Sequence, residues 1–249
     1  MKSVKETMLE RRSIRRYERE PISDADMAFI HEAIRNTPTS YNGQQYSVIE
    51  VVSQPVKEQI AELINQKQAK TCNRFLMFCA DFRKISILAA RKGVEMPEVT
   101  HTADGVMVGV IDAALAMMSA VTAAGALGLG ACCIGYARTA DPERLSAILG
   151  LPKGVFGVCG LAIGVPRELP DLKPKQPEGL IIHTDRYKTD EEMLPMLEAY
   201  DKEVTEYNAS RSGDKTTNDW CAHIVDYYRH IMTYEILAAL RRQGFDVVK

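Results

Sequence analysis

Arg11, Arg12, Arg15 and Arg16 fall within one short stretch, RRSIRRYERE, near the start of the chain. A guanidinium is a planar fork of donors that fits phosphate or carboxylate oxygens in bidentate fashion, and Ser13 adds a hydroxyl among them. Such a cluster is either a solvated basic face or a local anion site. The whole chain decides what size of anion to consider. Its 31 Lys and Arg against 33 Asp and Glu leave a net charge of −2, which gives no global attraction for nucleic acid or an anionic membrane. A small anionic ligand therefore fits better than a polyanion. Thr39, Ser40 and Asn42 add donors in a glycine-containing loop, PTSYNGQQ, and Lys173 and Lys175 flank Pro174 in an extended stretch far along the chain. Together these groups suit a phosphorylated ligand.

Other chemistry finds little support. The six cysteines form no CxxC pair and the five histidines are scattered, so no metal site is expected. GxGxxG fails because position 133 is Cys, and GACCIGY has P-loop glycine spacing without the following Lys. Neither GxSxG nor HExxH occurs, so no hydrolase is indicated and no side-chain acid or base stands out as catalytic.

The elements that must position these groups read as a mixture of strands and helices without strict βαβ alternation, an α+β domain. Residues 1–9 form a short amphipathic helix with Val4, Met8 and Leu9 on one face. Ser23 and Asp26 form a capping box that opens a helix to about Asn36. Strands are expected over 46–52, 74–82, 128–137 and 154–166, with a helix from Pro55 to about Lys67. Asp141, Pro142 and Gly150 bound another helix by cap, first-turn proline and terminal glycine. Residues 105–129 are apolar except for Asp112. That run is long enough to span a bilayer, but its Ala, Gly, Ser and Thr content favours a helix buried in a core or subunit interface. A proline-broken segment follows the last strand. Thr189 and Glu192 then cap a helix to about Tyr207, the loop NASRSGDKTTND follows, and one final helix is expected from about Asp219 to Arg242. With no secretory signal and no disulfide pattern, a cytoplasmic location is expected.

Four stretches in order carry a resemblance over nearly the whole chain: ERRSIRRYEREPIS, PTSYNGQQ, the block from LGLGACCIGYARTADPERL to GLAIGVP, and DLKPKQP before a long helical tail. They resemble the flavin-dependent nitroreductase family, in its branch of NADPH-preferring flavin reductases and oxygen-insensitive nitroreductases. The resemblance implies one nitroreductase-like domain over 1–249, with a mixed central sheet flanked by helices and a helical extension from about 189 that contacts a dimer partner. It implies FMN bound by Arg11, Arg12, Ser13, Arg15, Ser40, Tyr41, Asn42, Gln44, Gln66, Ile134, Gly135, Lys173 and Lys175. It also implies NADPH as donor, with NADH possible, and with Arg211 and Lys215 near the 2′-phosphate. The activity implied is ping-pong hydride transfer through flavin N5 to nitroaromatics, quinones or flavins, in a homodimer that binds neither nucleic acid nor membrane. The same contacts would also serve a non-catalytic flavin store or sensor. Three departures from the family pattern, Arg11 where relatives often have His, Lys175 where they often have Arg, and Asn42 where some have an aromatic residue, bear on substrate preference more than on flavin binding.

Overall fold

The computed structural model describes residues 1–248. The elements run α1 (Val4–Leu9), α2 (Asp24–Arg35), β1 (Tyr46–Val51), α3 (Gln54–Leu63), α4 (Lys67–Thr71), β2 (Arg74–Asp81), α5 (Arg83–Lys92), α6 (Ala103–Ala126), β3 (Gly130–Ile134), α7 (Pro142–Leu149), β4 (Val155–Gly164), α8 (Glu178–Ile181), α9 (Asp190–Ser210), α10 (Trp220–Ile231) and α11 (Ile236–Arg242). The chain divides into two compact units. One comprises Met1–Leu169 and the segment from Glu235 onward, and the other Pro170–Tyr234.

The first unit is built on a sheet of order β1-β2-β4-β3. Every pair of neighbouring strands is antiparallel. Among the described residues, parallel pairing enters only as a single bridge between Ser13 and Ala131, so the mixed sheet expected from the sequence is antiparallel in β1 to β4. The central strands β2 and β4 are covered on both faces, which is why they read as continuous apolar runs. Leu76, Phe78, Leu161 and Ile163 face the layer of α2 and α6. Phe75, Met77 and Ala162 face the layer that holds Ile60, Ile64 and Leu145 of α3 and α7.

The helix α6 is long and apolar enough to cross a membrane by length and composition. Here it lies along the sheet, and its small residues allow the close approach. Ala113, Ala116 and Ala120 are fully buried, and a Cβ on Gly109 would stand 2.7 Å from the Ala80 methyl. Its other side exposes Met107, Ile111, Leu115 and Met118.

Several expected boundaries shift for local reasons. Ser23 accepts from the Asp26 N–H at 3.1 Å, but the Asp26 carboxylate takes the Ser23 hydroxyl at 2.7 Å, so the box is only half formed. The helix α3 stops at Leu63 instead of reaching Lys67, because Asn65 turns left-handed at φ 48°. The strand β3 ends at Ile134, where Gly135 begins a tight turn. The helix α5 was not anticipated. The expected final helix is two, α10 and α11, separated by a turn at 232–235. The second of these belongs to the first unit, and the following Phe245 is fully buried with its ring edge-to-face on Phe82 and Phe156, at 6.1 and 6.3 Å.

The second unit is helical. Thr189 and Glu192 form the expected capping box at the start of α9, and Arg186 holds the Glu192 carboxylate through two bonds of 2.9 Å. The helices α9 and α10 meet where Tyr200 and Trp220 pack edge-on at 5.5 Å.

Candidate functional site

Residues 11–18 run as an extra edge beside β3. The Ile14 N–H donates to the Ala131 carbonyl at 3.1 Å, and the Glu18 N–H to the Val165 carbonyl at 2.9 Å. Ile14 and Tyr17 point into the core, and the Tyr17 hydroxyl donates to the Ile14 carbonyl at 2.6 Å. That inward pair turns Arg15 and Arg16 outward. Gly130 makes the packing possible, since a Cβ there would lie 2.7 Å from that of Ile14. The sequence showed Gly130 only as part of a failed phosphate-loop pattern; its steric role needs the neighbouring segment to be seen.

The arginines divide by partner. Glu168 accepts the Arg15 and Arg16 N–H groups at 2.7 and 3.2 Å, and its carboxylate lies 3.6 Å from Arg16 Nε. Arg16 is thus engaged by an acid. Arg12 Nε donates to the Glu10 carbonyl at 3.1 Å. Arg11 and Arg15 face the sulfur-bearing strand. Burial pushes the Cys132 thiol up while Arg15 and then Arg11 pull it down, and Arg11 opposes burial in the same way at the more exposed Cys133. Buried Cys72 and Cys79 are pushed up to about 12, and Cys159 to about 11, chiefly by desolvation. These thiols stay protonated at neutral pH and offer no nucleophile.

Just beyond these cysteines, Ile134 is buried and Gly135 opens the turn closed by Arg138, whose Nη1 donates to the Val158 carbonyl at 2.8 Å. A Cβ on Gly135 would meet nothing within 4 Å. One corner of the sheet therefore combines Arg11, Ser13 and Arg15 with open space over a glycine. Gln66 lies in the adjoining layer at the start of α4, and its Oε1 accepts from Gln68 Nε2 at 2.6 Å.

The loop bearing Ser40, Tyr41, Asn42 and Gln44 lies elsewhere. Tyr41, Asn42 and Gln44 have φ of 56°, 53° and 53°, a left-handed run that non-glycine residues rarely adopt. The loop is held by Asp112, fully buried on α6, whose two carboxylate oxygens accept the Ser40 and Gln45 N–H groups at 2.9 and 3.1 Å. The Asp81 N–H donates to the Gln45 carbonyl at 3.0 Å, which continues the line of β1. The Ser13 segment flanks β3, so four interstrand spacings separate it from β1. The register of Ala131 with Ile163, and of Ile163 with Arg74, adds about seven residues along the strand, roughly 25–30 Å in all. The structure thus sets Arg11, Ser13 and Arg15 along β3, which leads on to Ile134 and Gly135, and it sets the 40–44 group at the start of β1, across the sheet from Ser13.

In the second unit, Lys173, Arg211 and His223 line a cavity of about 310 Å³ walled by Tyr200, Tyr207 and Trp220. Arg211 Nε donates to the Asp214 carbonyl, and the Ser212 N–H and hydroxyl both donate to Asp171, at 2.7 and 2.8 Å. Lys215 is exposed on the same loop and is not among the lining residues. Lys175, also in this unit, is exposed.

The residues present fit FMN. A bidentate cation set with a hydroxyl suits its phosphate or electron-rich ring edge, and the space over Gly135 admits a flat ring close to backbone. Family models agree with that chemistry. Residues 8–165 match the nitroreductase family and residues 173–248 its C-terminal domain. The chain is similar to an FMN reductase [NAD(P)H] from Bacillus subtilis, 36% identical with both chains fully covered, and to an oxygen-insensitive NADPH nitroreductase from Salmonella typhimurium, 34% identical over 94% of each. Among solved structures it is similar to the oxidoreductase YcnD from Bacillus subtilis, with 36% identity, TM-score 0.95 and full coverage of both chains. With this order of motifs, this sheet and these relatives, the chain belongs to the nitroreductase family.

Proposed function

We infer that this protein is an FMN-dependent NAD(P)H oxidoreductase that reduces small electron acceptors such as nitroaromatics, quinones or flavins. The observation that carries this reading is the set of Arg11, Ser13 and Arg15 along β3, beside Ala131 and Cys132, with open space over Gly135 where the strand ends. Bound FMN supplies hydride chemistry at its own ring, so the chain needs to bind and orient rather than to provide an acid or base. Arg11, Arg12, Ser13 and Arg15 hold the phosphate and offset negative charge at the electron-rich ring edge. The Gln66 carboxamide, with the Ile134 and Gly135 backbone, fixes the ring. The family pattern assigns Lys173 and Lys175 to FMN as well, and Arg211 and Lys215 to the 2′-phosphate of NADPH.

Ser40, Tyr41, Asn42 and Gln44 lie across the sheet from Arg15, and we assign them to the cofactor of a second subunit. Family members are typically dimers, and a two-fold arrangement places the 40–44 loop of each subunit against its partner's cofactor. The exposed stripe Met107, Ile111, Leu115 and Met118 on α6 supports this. The four recur at three- and four-residue spacing, as the seam between paired helices requires. The outward-facing Val4, Met8 and Leu9 of α1 extend the apolar surface. With its whole length matched to a relative, the chain is read as one functional unit in which the helical segment from about 189 contacts the partner. Its acceptors are small molecules, not nucleic acid or membrane. The six cysteines are free, which agrees with a reducing cytoplasm.

Purified protein should be yellow, and acid should release FMN rather than FAD. Anaerobic NADPH should bleach the long-wavelength flavin band, and a quinone or nitroaromatic should restore it. A colourless protein that takes up no FMN, or a bound flavin that NADPH fails to bleach, would refute the assignment.

A further inference from the structure

Asp112 is the single charge in the apolar run of α6, and its side chain is fully buried. An isolated carboxylate is costly to bury unless donors meet it. Its two oxygens accept the N–H groups of Ser40 and Gln45, at 2.9 and 3.1 Å, from a segment 67–72 positions earlier. Those two residues bracket the three left-handed residues Tyr41, Asn42 and Gln44. Backbone held in sparsely populated conformations persists only where the surroundings over-determine it, and such places are concentrated at binding sites. Thr39 Oγ1, accepting the Gln44 N–H at 3.2 Å, is a further local restraint.

We propose that Asp112 is a positioning residue: from the buried face of α6 it clamps both ends of the 40–45 loop, and so presents Ser40, Tyr41 and Asn42 to the cofactor of the partner subunit. This rests on the assignment of that loop to the cofactor site. Because the opposite side of α6 carries the exposed apolar stripe, the same helix both pairs the subunits and sets the loop that one lends to the other. The charge is essential to the design. A carboxylate supplies two acceptors for two N–H donors, whereas a carboxamide supplies one acceptor and turns an NH₂ group toward the second donor.

The test uses the holoenzyme of Asp112→Asn, Ser40→Pro and Asn42→Ala. Two quantities are read: hydrogen exchange over residues 39–46, and FMN release on dilution, followed by the return of flavin fluorescence. In Asp112→Asn the loop amides should exchange roughly tenfold faster or more, with β2 protected as in wild type. FMN release should quicken roughly ten- to a hundredfold, the scale of a lost charge-assisted bond. Should Asp112→Asn fail to fold, Ser40→Pro carries the test. It deletes one donor without entering the core, since Thr39 is already extended (φ −135°, ψ 157°) and Ser40 opens a helical turn. It should move both readouts in the same direction. Unchanged loop exchange overturns the clamp. Faster exchange with unchanged FMN release overturns the positioning role. In that event Asn42→Ala separates the causes. If it hastens release, the loop belongs to the site and only Asp112 was misassigned; if it does not, the assignment of the loop itself has failed.

Discussion

If each cofactor is held by Arg11 and Arg15 of one subunit and by the 40–44 loop of the other, two crippled proteins should repair each other. The first is Arg11→Ala/Arg15→Ala, defective at the β3 corner. The second is Asn42→Ala/Gln44→Ala, defective at the loop. Each lost charge-assisted contact weakens FMN by about 1.5–3 kcal/mol, so each homodimer should lose most of its bound flavin at micromolar concentration. Random re-pairing of equal amounts gives half heterodimers. In a heterodimer one site combines the intact corner with the intact loop, and the other carries both defects. About a quarter of all sites, counted over a two-fold dimer, should therefore regain FMN and NADPH-dependent turnover. The assay mixes the purified variants with excess FMN under conditions of subunit exchange, and follows flavin retention and quinone reduction with time. The separation of the two groups, roughly 25–30 Å between backbones on sheet geometry, is the reason to expect this result. Flat activity after exchange, with heterodimers verified by a tag on one partner, would mean that both groups act within one chain or that one group is not part of the site.

Much of this arrangement is legible in the chain, but unevenly. Local chemistry reads well: the caps at Ser23, Thr189 and Asp141 accept the N–H groups that their spacing calls for, and β2 and β4 lie where unbroken apolar runs place them. The arginine cluster reads as a candidate anion site from residue type alone. What fails to read is whatever depends on a distant neighbour. Asp112 shows in sequence only as a lone charge in an apolar run, since its partners lie 67–72 positions away. Gly130 is needed because Ile14 lies against it. The helix α5 hides because Ile85, Ile87 and Leu88 are exposed, at 47, 56 and 48%, so no buried stripe marks its period. The break between α10 and α11 falls at Thr233–Tyr234, without glycine or proline to announce it. Residue types thus point to the ligand, whereas the distance between the Ser13 segment and the 40–44 loop appears only once the sheet register is known.

Phe245→Ala should destabilise the first unit by about 3–5 kcal/mol, as expected for emptying a fully buried aromatic site; a denaturant midpoint equal to wild type would remove Phe245 from the core. Ile111→Lys, in the exposed stripe of α6, should yield monomers by sedimentation velocity, and an unaltered dimer would move the interface elsewhere. The bond from Arg186, with the Thr189 N–H, holds the Glu192 carboxyl down at about 2 against an ordinary value of 4.5. Its stabilising effect should be complete above that ordinary value and fade as pH falls toward 2, so Glu192→Gln should flatten the acid dependence of helix content in the second unit, and parallel acid curves would exclude it. Arg211→Ala should raise KM for NADPH roughly ten- to a hundredfold, about 1.4–2.7 kcal/mol of uniform binding, with NADH kinetics nearly unchanged. The reasoning is electrostatic. NADPH differs from NADH by one phosphate, Arg211 shares its cavity with Lys173, and a guanidinium engages such a group bidentately where NADH offers only a hydroxyl. Equal losses with both donors would show that Arg211 supports the loop through its bond to Asp214 rather than reading the phosphate.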